Sequence, residues 1–510
     1  MRGNRIHVNT KTWAFEPEGA FHFPEWEDER VRSTRKNGLA FSGGGNRSAP
    51  LTAGYLRVLK DLGVIDKVGY ISSVSGGSWA AVPFTYLDPT ISDNQFLGAF
   101  IPPSDLRWSD LATPSHKRFT DAVADSVVID DLLGTLFSGD ERFAKIINSI
   151  YLEPFLLGDR HKFFSYDTDT VREILNRNPE LSVFDFYKVR TGRPYLIANG
   201  ILSRSNPLQV NRYPFEMTPL YSGIPTHFPG EGSLGRFDIG GGYVESFAFD
   251  SDSPDDQKDR TGRVHVRIKK KQNIFSLSDV IATSGAAPAE HLDRFGVELG
   301  FPEFNYWSPV EIDKAKEYDF ADGGLLDNSG ILSLLRRGVN RIIAFVNGSA
   351  RLEHAKDVSD MIEPLFQECP NYLGMSRFDK NIVLSQPSKN SQELYDDLIR
   401  EMFHLKNDGK PVVVEREYIT LHNPHHGIAA GQSVSICWVY NAFVSEWYES
   451  LRDSRVKTYV EQQQRKKHFP NYSTVLANPP KLIDMDLEQA NALAQLAGYV
   501  IHSSAAKDFF

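Results

Sequence analysis

Two turns near the start of the chain constrain it more than any other stretch. Gly38-Leu-Ala-Phe-Ser42 is a short apolar strand that runs through three glycines, Gly43 to Gly45, into Asn46-Arg47. A helical stretch from Ala49 to Leu62 follows. The second unit repeats the layout: Val68 to Ser73 is strand-like, Ser75 sits at the turn, and Gly76 to Leu87 continues as a helix. Two strand–turn–helix units in tandem are how a βαβ fold begins.

Each turn has a chemical use. Three glycines put no side chain over the backbone, so a substrate can approach the N–H groups of Gly44 and Gly45. At the start of a helix those donors suit a developing oxyanion or a phosphate. A serine between strand and helix has the layout of a nucleophile elbow, usually G-x-S-x-G. Here it reads Ser73-Val74-Ser75-Gly76-Gly77, with a small serine in place of the first glycine.

The 510 residues allow two or more domains, or one large α/β domain with insertions. A net charge of −10 argues against a nucleic-acid partner. Two cysteines, Cys369 and Cys437, give neither a disulfide framework nor a cysteine zinc site and fit a reducing compartment. The opening Met-Arg-Gly-Asn-Arg-Ile-His has no apolar signal-peptide core, and no run is long enough to span a membrane. A cytoplasmic protein is expected, which would meet lipid from the membrane surface.

Residues 1–36 read as a polar, irregular surface arm. Residues 91–190 carry helical patterns (Arg118 to Phe137, Glu141 to Leu157, Asp169 to Leu175) and read as a cap-like insertion. Leu152, Phe155, Leu156, Leu157, Phe163 and Phe164 within it could line an acyl pocket or simply form its core. Pro83 is expected to kink or end the second helix. Arg193 to Leu202 is a strand, and Tyr213 to Gly223 a second extended stretch. Asp250 to Asp256 fails the spacing of a calcium loop and reads as a solvated acidic loop. Arg263 to Lys271 alternates basic and apolar residues as a strand with one charged face. Arg341 to Asn347 is a buried strand. Residues 350–510 are expected to mix helices, with a final one from about Leu487 to Ile501 capped by Asp486 and Gln489.

A serine needs a group that takes its proton. Asp322 ends a strand and is followed by two glycines, which let a substrate or Ser75 approach it. A carboxylate acting directly as base gives a Ser–Asp dyad. The rival is a Ser–His–Asp triad using His422, His425 or His426, which lie in a turn-like, surface-type stretch.

Ser42-Gly-Gly-Gly-Asn-Arg47, Val74-Ser-Gly-Gly-Ser-Trp79 and Asp322-Gly-Gly324 together resemble the patatin-like and cytosolic phospholipase A2 superfamily. Phe215 to Pro219, the Ile342-Ile-Ala-Phe345 strand with its nearby Gly-Ser-Ala, and His468 to Thr474 resemble its cytosolic phospholipase A2 and fungal lysophospholipase branch. Ala282-Thr-Ser-Gly-Ala-Ala-Pro288 looks more patatin-like. The likeness runs patchily from about residue 38 to 475. It implies an α/β fold with a central, mostly parallel sheet flanked by helices. The domain would cover 37–475, with the 91–190 cap inserted and a C-terminal helix, 476–510, packed on it.

The resemblance implies Ser75 as nucleophile and Asp322 as base. Gly44 and Gly45 become oxyanion donors, and Arg47 the arginine that meets the substrate phosphate. A helix-start arginine binding a neighbouring carboxylate is the structural alternative for Arg47. This chain departs from the family in Ser73, in lacking a stretch for a calcium-binding C2 module, and in a 91–190 region matching no family cap. The expected activity is hydrolysis of fatty-acyl esters of phospholipids or lysophospholipids at a membrane surface, with no metal or cofactor. A transacylase with the same dyad, a catalytically silent lipid-binding scaffold, and a need for a protein activator stay open.

Overall fold

The computed structural model describes residues 5–15, 21–124, 142–206, 209–231, 238–255, 262–269, 274–286, 302–310, 315–354, 358, 361–368, 380–472, 475–477, 480–482 and 485–510. Its strands, numbered along the chain, are β1 (Arg5–Ala14), β2 (Asn37–Phe41), β3 (Tyr70–Val74), β4 (Phe163–Ser165), β5 (Phe186–Lys188), β6 (Tyr195–Asn206), β7 (Gln209–Met217), β8 (Tyr221–Phe228), β9 (Ile239–Glu245), β10 (Arg263–Lys269), β11 (Glu303–Tyr306), β12 (Lys316–Asp322), β13 (Arg341–Val346), β14 (Leu384–Ser385), β15 (Val412–Thr420) and β16 (Ser433–Tyr440).

The centre of the main sheet is parallel, in the order β6-β3-β2-β13-β16. Antiparallel strands extend it on both sides. β3 is buried along its whole length, as a parallel strand covered on both faces must be. Alternate residues feed two cores: Leu39, Phe41, Ile343 and Phe345 one, Ala40, Ile342, Ala344 and Val346 the other. This is the α/β architecture expected, a central sheet with helices on its faces.

Several local expectations need correction. Residues 1–36 are not an irregular surface arm. β1 pairs with β9 and β10, and Glu25 is fully buried. Glu25 accepts hydrogen bonds from Arg337 Nε at 3.0 Å and Tyr221 Oη at 2.7 Å, which ties the segment to the core. Tyr213 to Gly223 is not one stretch but parts of β7 and β8, separated by the turn at Thr218-Pro219. β15 and β16 lie within 350–510, where the sequence reading singles out helices but no strand. Asp250 is buried rather than solvated, bonded to Lys269 Nζ at 2.9 Å and to the Asn305 amide at 2.7 Å. Residue 256, Lys270, Lys271, Cys369 and residues 125–141 lie outside the described residues.

The two central helices run Gly45–Asp61 and Gly76–Tyr86. The first starts at the last glycine of its loop, four residues before Ala49. The second passes Pro83 and ends at Tyr86. The C-terminal helix, Leu487–His502, has the Asp486 side chain accepting the Gln489 amide at 2.7 Å. It packs on the first helix at Gly54, where an added methyl would lie 2.3 Å from the Ala494 carbonyl oxygen. Backbone cannot yield there as a flexible side chain can. Gly54→Ala is expected to cost about 1–3 kcal/mol, read as a lower urea midpoint; an unchanged midpoint would contradict the close packing.

Candidate active site

The site is assembled on one edge of β6. β3 runs parallel to β6 and ends with Val74 opposite Asn199. β12 runs antiparallel on the same edge and ends with Asp322 opposite Gly200. Asn199 and Gly200 are consecutive, about 3.3 Å of strand apart. The two strands therefore meet end to end, and the residues at their tips, Ser75 and Asp322, are brought to one place from 247 positions apart in sequence.

Ser75 sits at φ +51°, ψ −126°, a conformation that a non-glycine residue adopts only when its surroundings impose it, at a cost of about 1–3 kcal/mol. The surroundings are tight. A methyl on Gly76 would lie 2.1 Å from the Gly45 carbonyl oxygen, and one on Gly77 2.8 Å from that of Phe41. Those glycines let the elbow press against the glycine loop. Ser73, in place of the usual glycine, is accommodated because its hydroxyl has a place to go: Ser78 Oγ donates to it at 2.9 Å.

On the acid side, Gly323 packs against β6, where a methyl would sit 2.6 Å from the Asn199 carbonyl oxygen. The Gly324 N–H donates to Asp322 Oδ1 at 2.7 Å and fixes the carboxylate's orientation. Ser75 is 8% exposed and Asp322 1%, so the site is almost closed to bulk water.

The glycine loop completes the cluster. Gly44 and Gly45 take φ of +136° and +53° and begin the helix, whose first amides have no acceptor within it. A methyl on Gly43 would lie 3.1 Å from Ser75 Cβ, so loop and elbow touch. Arg47 lies beneath the loop, its Nη2 2.8 Å from where a Gly44 methyl would be. Its Nε donates to the Asn347 carbonyl at 2.9 Å, and Nη1 donates to the Tyr472 carbonyl. The partners of these two groups are main-chain carbonyls rather than the carboxylate of the structural alternative.

Three residues of the site were not singled out from sequence. Asn328 Oδ1 lies 2.2 Å from a methyl built on Gly43 and 2.8 Å from one built on Gly324, so one amide spans glycine loop and acid turn. Its carbonyl also accepts the Gly43 N–H at 3.2 Å. Asn199 donates from Nδ2 to Ser72 Oγ and the Ser73 carbonyl, both at 2.9 Å. Ser284 accepts the Ser75 N–H at 3.1 Å. Of the three, Ser284 lies in the patatin-like stretch Ala282 to Pro288 and Asn199 in the strand Arg193 to Leu202, whereas Asn328 had no signal.

The segment between β3 and β6 reaches the site through Tyr151, the last residue of helix Arg142–Tyr151. Tyr151 stacks on Trp79 at 4.9 Å between ring centroids and donates to Asn46 Oδ1 at 2.7 Å. Leu152, Phe155, Leu157, Phe163 and Phe164 are buried in hydrophobic cores, while Leu156 faces solvent.

The histidines of the rival triad divide. His422 is exposed, as expected of a surface loop. His426 is instead buried: its Nε2 lies 2.9 Å from Asn381 Oδ1, and its carbonyl accepts from Arg336 Nε. Burial, with Lys380 and Arg336 nearby, pushes the His425 imidazole down to about 3, and His426 goes well below its ordinary range for the same leading cause. The folded protein keeps both rings neutral, whereas the unfolded chain takes up protons near pH 6.5. Their neutral burial therefore costs nothing above that pH and destabilises progressively as pH falls from about 6.5 towards 3. His425→Gln is expected to flatten the fall of the thermal midpoint between pH 6.5 and 4; an unchanged slope would show that this ring titrates normally.

With this geometry in view, comparison with known proteins gives a family. The model for "Patatin-like phospholipase" matches residues 39–335. Among solved structures, human GIVD cytosolic phospholipase A2 aligns over 99% of this chain and 71% of its own at 13% identity and a TM-score of 0.48. The same human enzyme in complex with methyl gamma-linolenyl fluorophosphonate aligns over 100% of this chain and 68% of its own, at 13% identity and a TM-score of 0.44. A search of curated proteins returned no match. The matched residues exceed half of the chain and contain both strand tips and the glycine loop, and the chain belongs to the patatin-like phospholipase family of lipid acyl hydrolases.

Proposed function

We propose that this protein hydrolyses fatty-acyl esters of phospholipids or lysophospholipids through a Ser75–Asp322 dyad. The observation that carries this reading is the end-to-end meeting of β3 and β12 on β6. Asp322 takes the proton of Ser75 Oγ as that oxygen attacks the ester carbonyl. The carbonyl oxygen becomes an oxyanion and is met by the amides of Gly44 and Gly45 at the helix start. Collapse expels the lysolipid or glycerol-phosphate alcohol, which leaves with the proton held by Asp322, and an acyl-serine remains. Water, deprotonated by Asp322, then releases the fatty acid and restores Ser75. Arg47, beneath Gly44, is assigned to the substrate phosphate. The protein would act at a membrane surface from the cytoplasm; no described helix is long and apolar enough to cross a bilayer.

The test is fatty-acid release from mixed micelles of phosphatidylcholine, and separately of lysophosphatidylcholine. Ser75→Ala and Asp322→Asn, each shown to be folded, should lower release by at least about 10³-fold, and His425→Gln should lower it by less than about threefold. Loss of activity in the histidine variant with retention in Asp322→Asn would replace the dyad by a triad. Transfer of the acyl group to added glycerol in preference to water would make the enzyme a transacylase. Micelle binding with no release would make it a scaffold.

A further inference from the structure

The stretch Ala282-Thr-Ser-Gly-Ala286 has no part in the chemistry above, yet it ends directly beneath the elbow. It closes the helix Leu277–Ser284, whose start is pinned by the Asp279 carboxylate, which accepts from both the N–H and the hydroxyl of Ser276. Ser284 is fully buried. Its Oγ accepts the Ser75 N–H at 3.1 Å, donates to the Asn199 carbonyl at 2.8 Å, and lies 2.8 Å from Ser78 Oγ. Ser78 Oγ continues to Ser73 Oγ at 2.9 Å.

The placement of these partners matters more than their number. Ser75 carries the strained dihedrals, and its N–H is the main-chain group that Ser284 holds. Asn199 is the β6 residue opposite Val74, and its carbonyl is the atom against which Gly323 packs. A single oxygen thus joins the elbow to the point on which the acid turn rests. The neighbouring Thr283 is equally buried, but its hydroxyl has no hydrogen-bond partner among the described residues, and its methyl is 3.0 Å from one built on Gly200. Thr283 packs; Ser284 makes the polar link.

We propose that Ser284 is a positioning residue for the acyl-transfer step. It holds the Ser75 main chain so that Oγ stands at the Asp322 turn, without touching substrate itself. This rests on the dyad reading. A displacement of about 1 Å at a nucleophile can cost roughly 10²-fold in rate while leaving substrate affinity intact.

The test uses the full chain with two probes, a fluorophosphonate reagent and the soluble ester 4-nitrophenyl butyrate. Ser284→Ala is expected to lower both the labelling rate and kcat by about 10- to 100-fold with KM within about twofold. Thr283→Val, on the same buried turn, should leave all three within about twofold. Retention of kcat within about twofold in Ser284→Ala, or an equal loss in Thr283→Val, would overturn the proposal. If Ser284→Ala does not fold, Ser284→Cys, with a weaker acceptor at nearly the same volume, is judged by the same limits. Ser75→Ala separates the two claims. Labelling that persists in Ser75→Ala, or is absent from the unmodified protein, overturns the dyad and Ser284's role with it. Labelling lost in Ser75→Ala but undiminished in Ser284→Ala overturns only the role of Ser284.

Discussion

One edge of β6 carries two strands of opposite sense, and the arrangement of the site depends on their shared hydrogen-bonding frame. β3 rises along that edge to Asn199, and β12 descends it to Gly200. Strand pairing works in steps of one residue, and a slip by one turns every side chain to the opposite face. With apolar residues filling cores on both faces of the sheet, neither strand can slip without moving its buried side chains. The relative position of Ser75 and Asp322 is therefore set by the same burial that stabilises the fold, not by flexible loops.

That frame also explains where glycine is obligatory. At Gly76, Gly77 and Gly323 a methyl would meet backbone atoms of the glycine loop, β2 and β6 at 2.1 to 2.8 Å. These are contacts between main chains, so no side-chain rotation relieves them. The polar counterpart lies beneath: Ser73, Ser78 and Ser284, all fully buried, and Asn199 satisfy one another. Ser73, which departs from the usual elbow, fits because this layer gives its hydroxyl a partner.

Ser75, Asp322 and the glycine loop were legible in the sequence because each sits at a strand end marked by glycines, a signal confined to a few residues. Four strands of the parallel centre, β6, β3, β2 and β13, were legible as short apolar-rich runs, whereas β16, which pairs with β13, was not. What was missed depends on partners distant in sequence. β1 is a polar-looking segment whose inward residues alternate, and only pairing with β9 and β10 makes it a strand. Val412 to Thr420 alternates in much the same way and pairs with Ser433 to Tyr440, whose last five residues are all buried. His426 looked like a surface residue because its turn is rich in glycine and proline; Asn381 and Arg336, which make its burial tolerable, lie 45 and 90 residues away. Asn328 carries no local mark of its bridging position, and Ser284 only that of lying in the patatin-like stretch Ala282 to Pro288.

The segment between β3 and β6 meets the site at Tyr151, which contacts Trp79 of the elbow helix and Asn46 of the glycine-loop helix. The most direct test of the central claim is to map the adduct left by methyl arachidonyl fluorophosphonate on the intact protein by peptide mass spectrometry. A single phosphonylated residue, Ser75, is the predicted result. Modification at any other serine, with Ser75 recovered unmodified, would contradict the account.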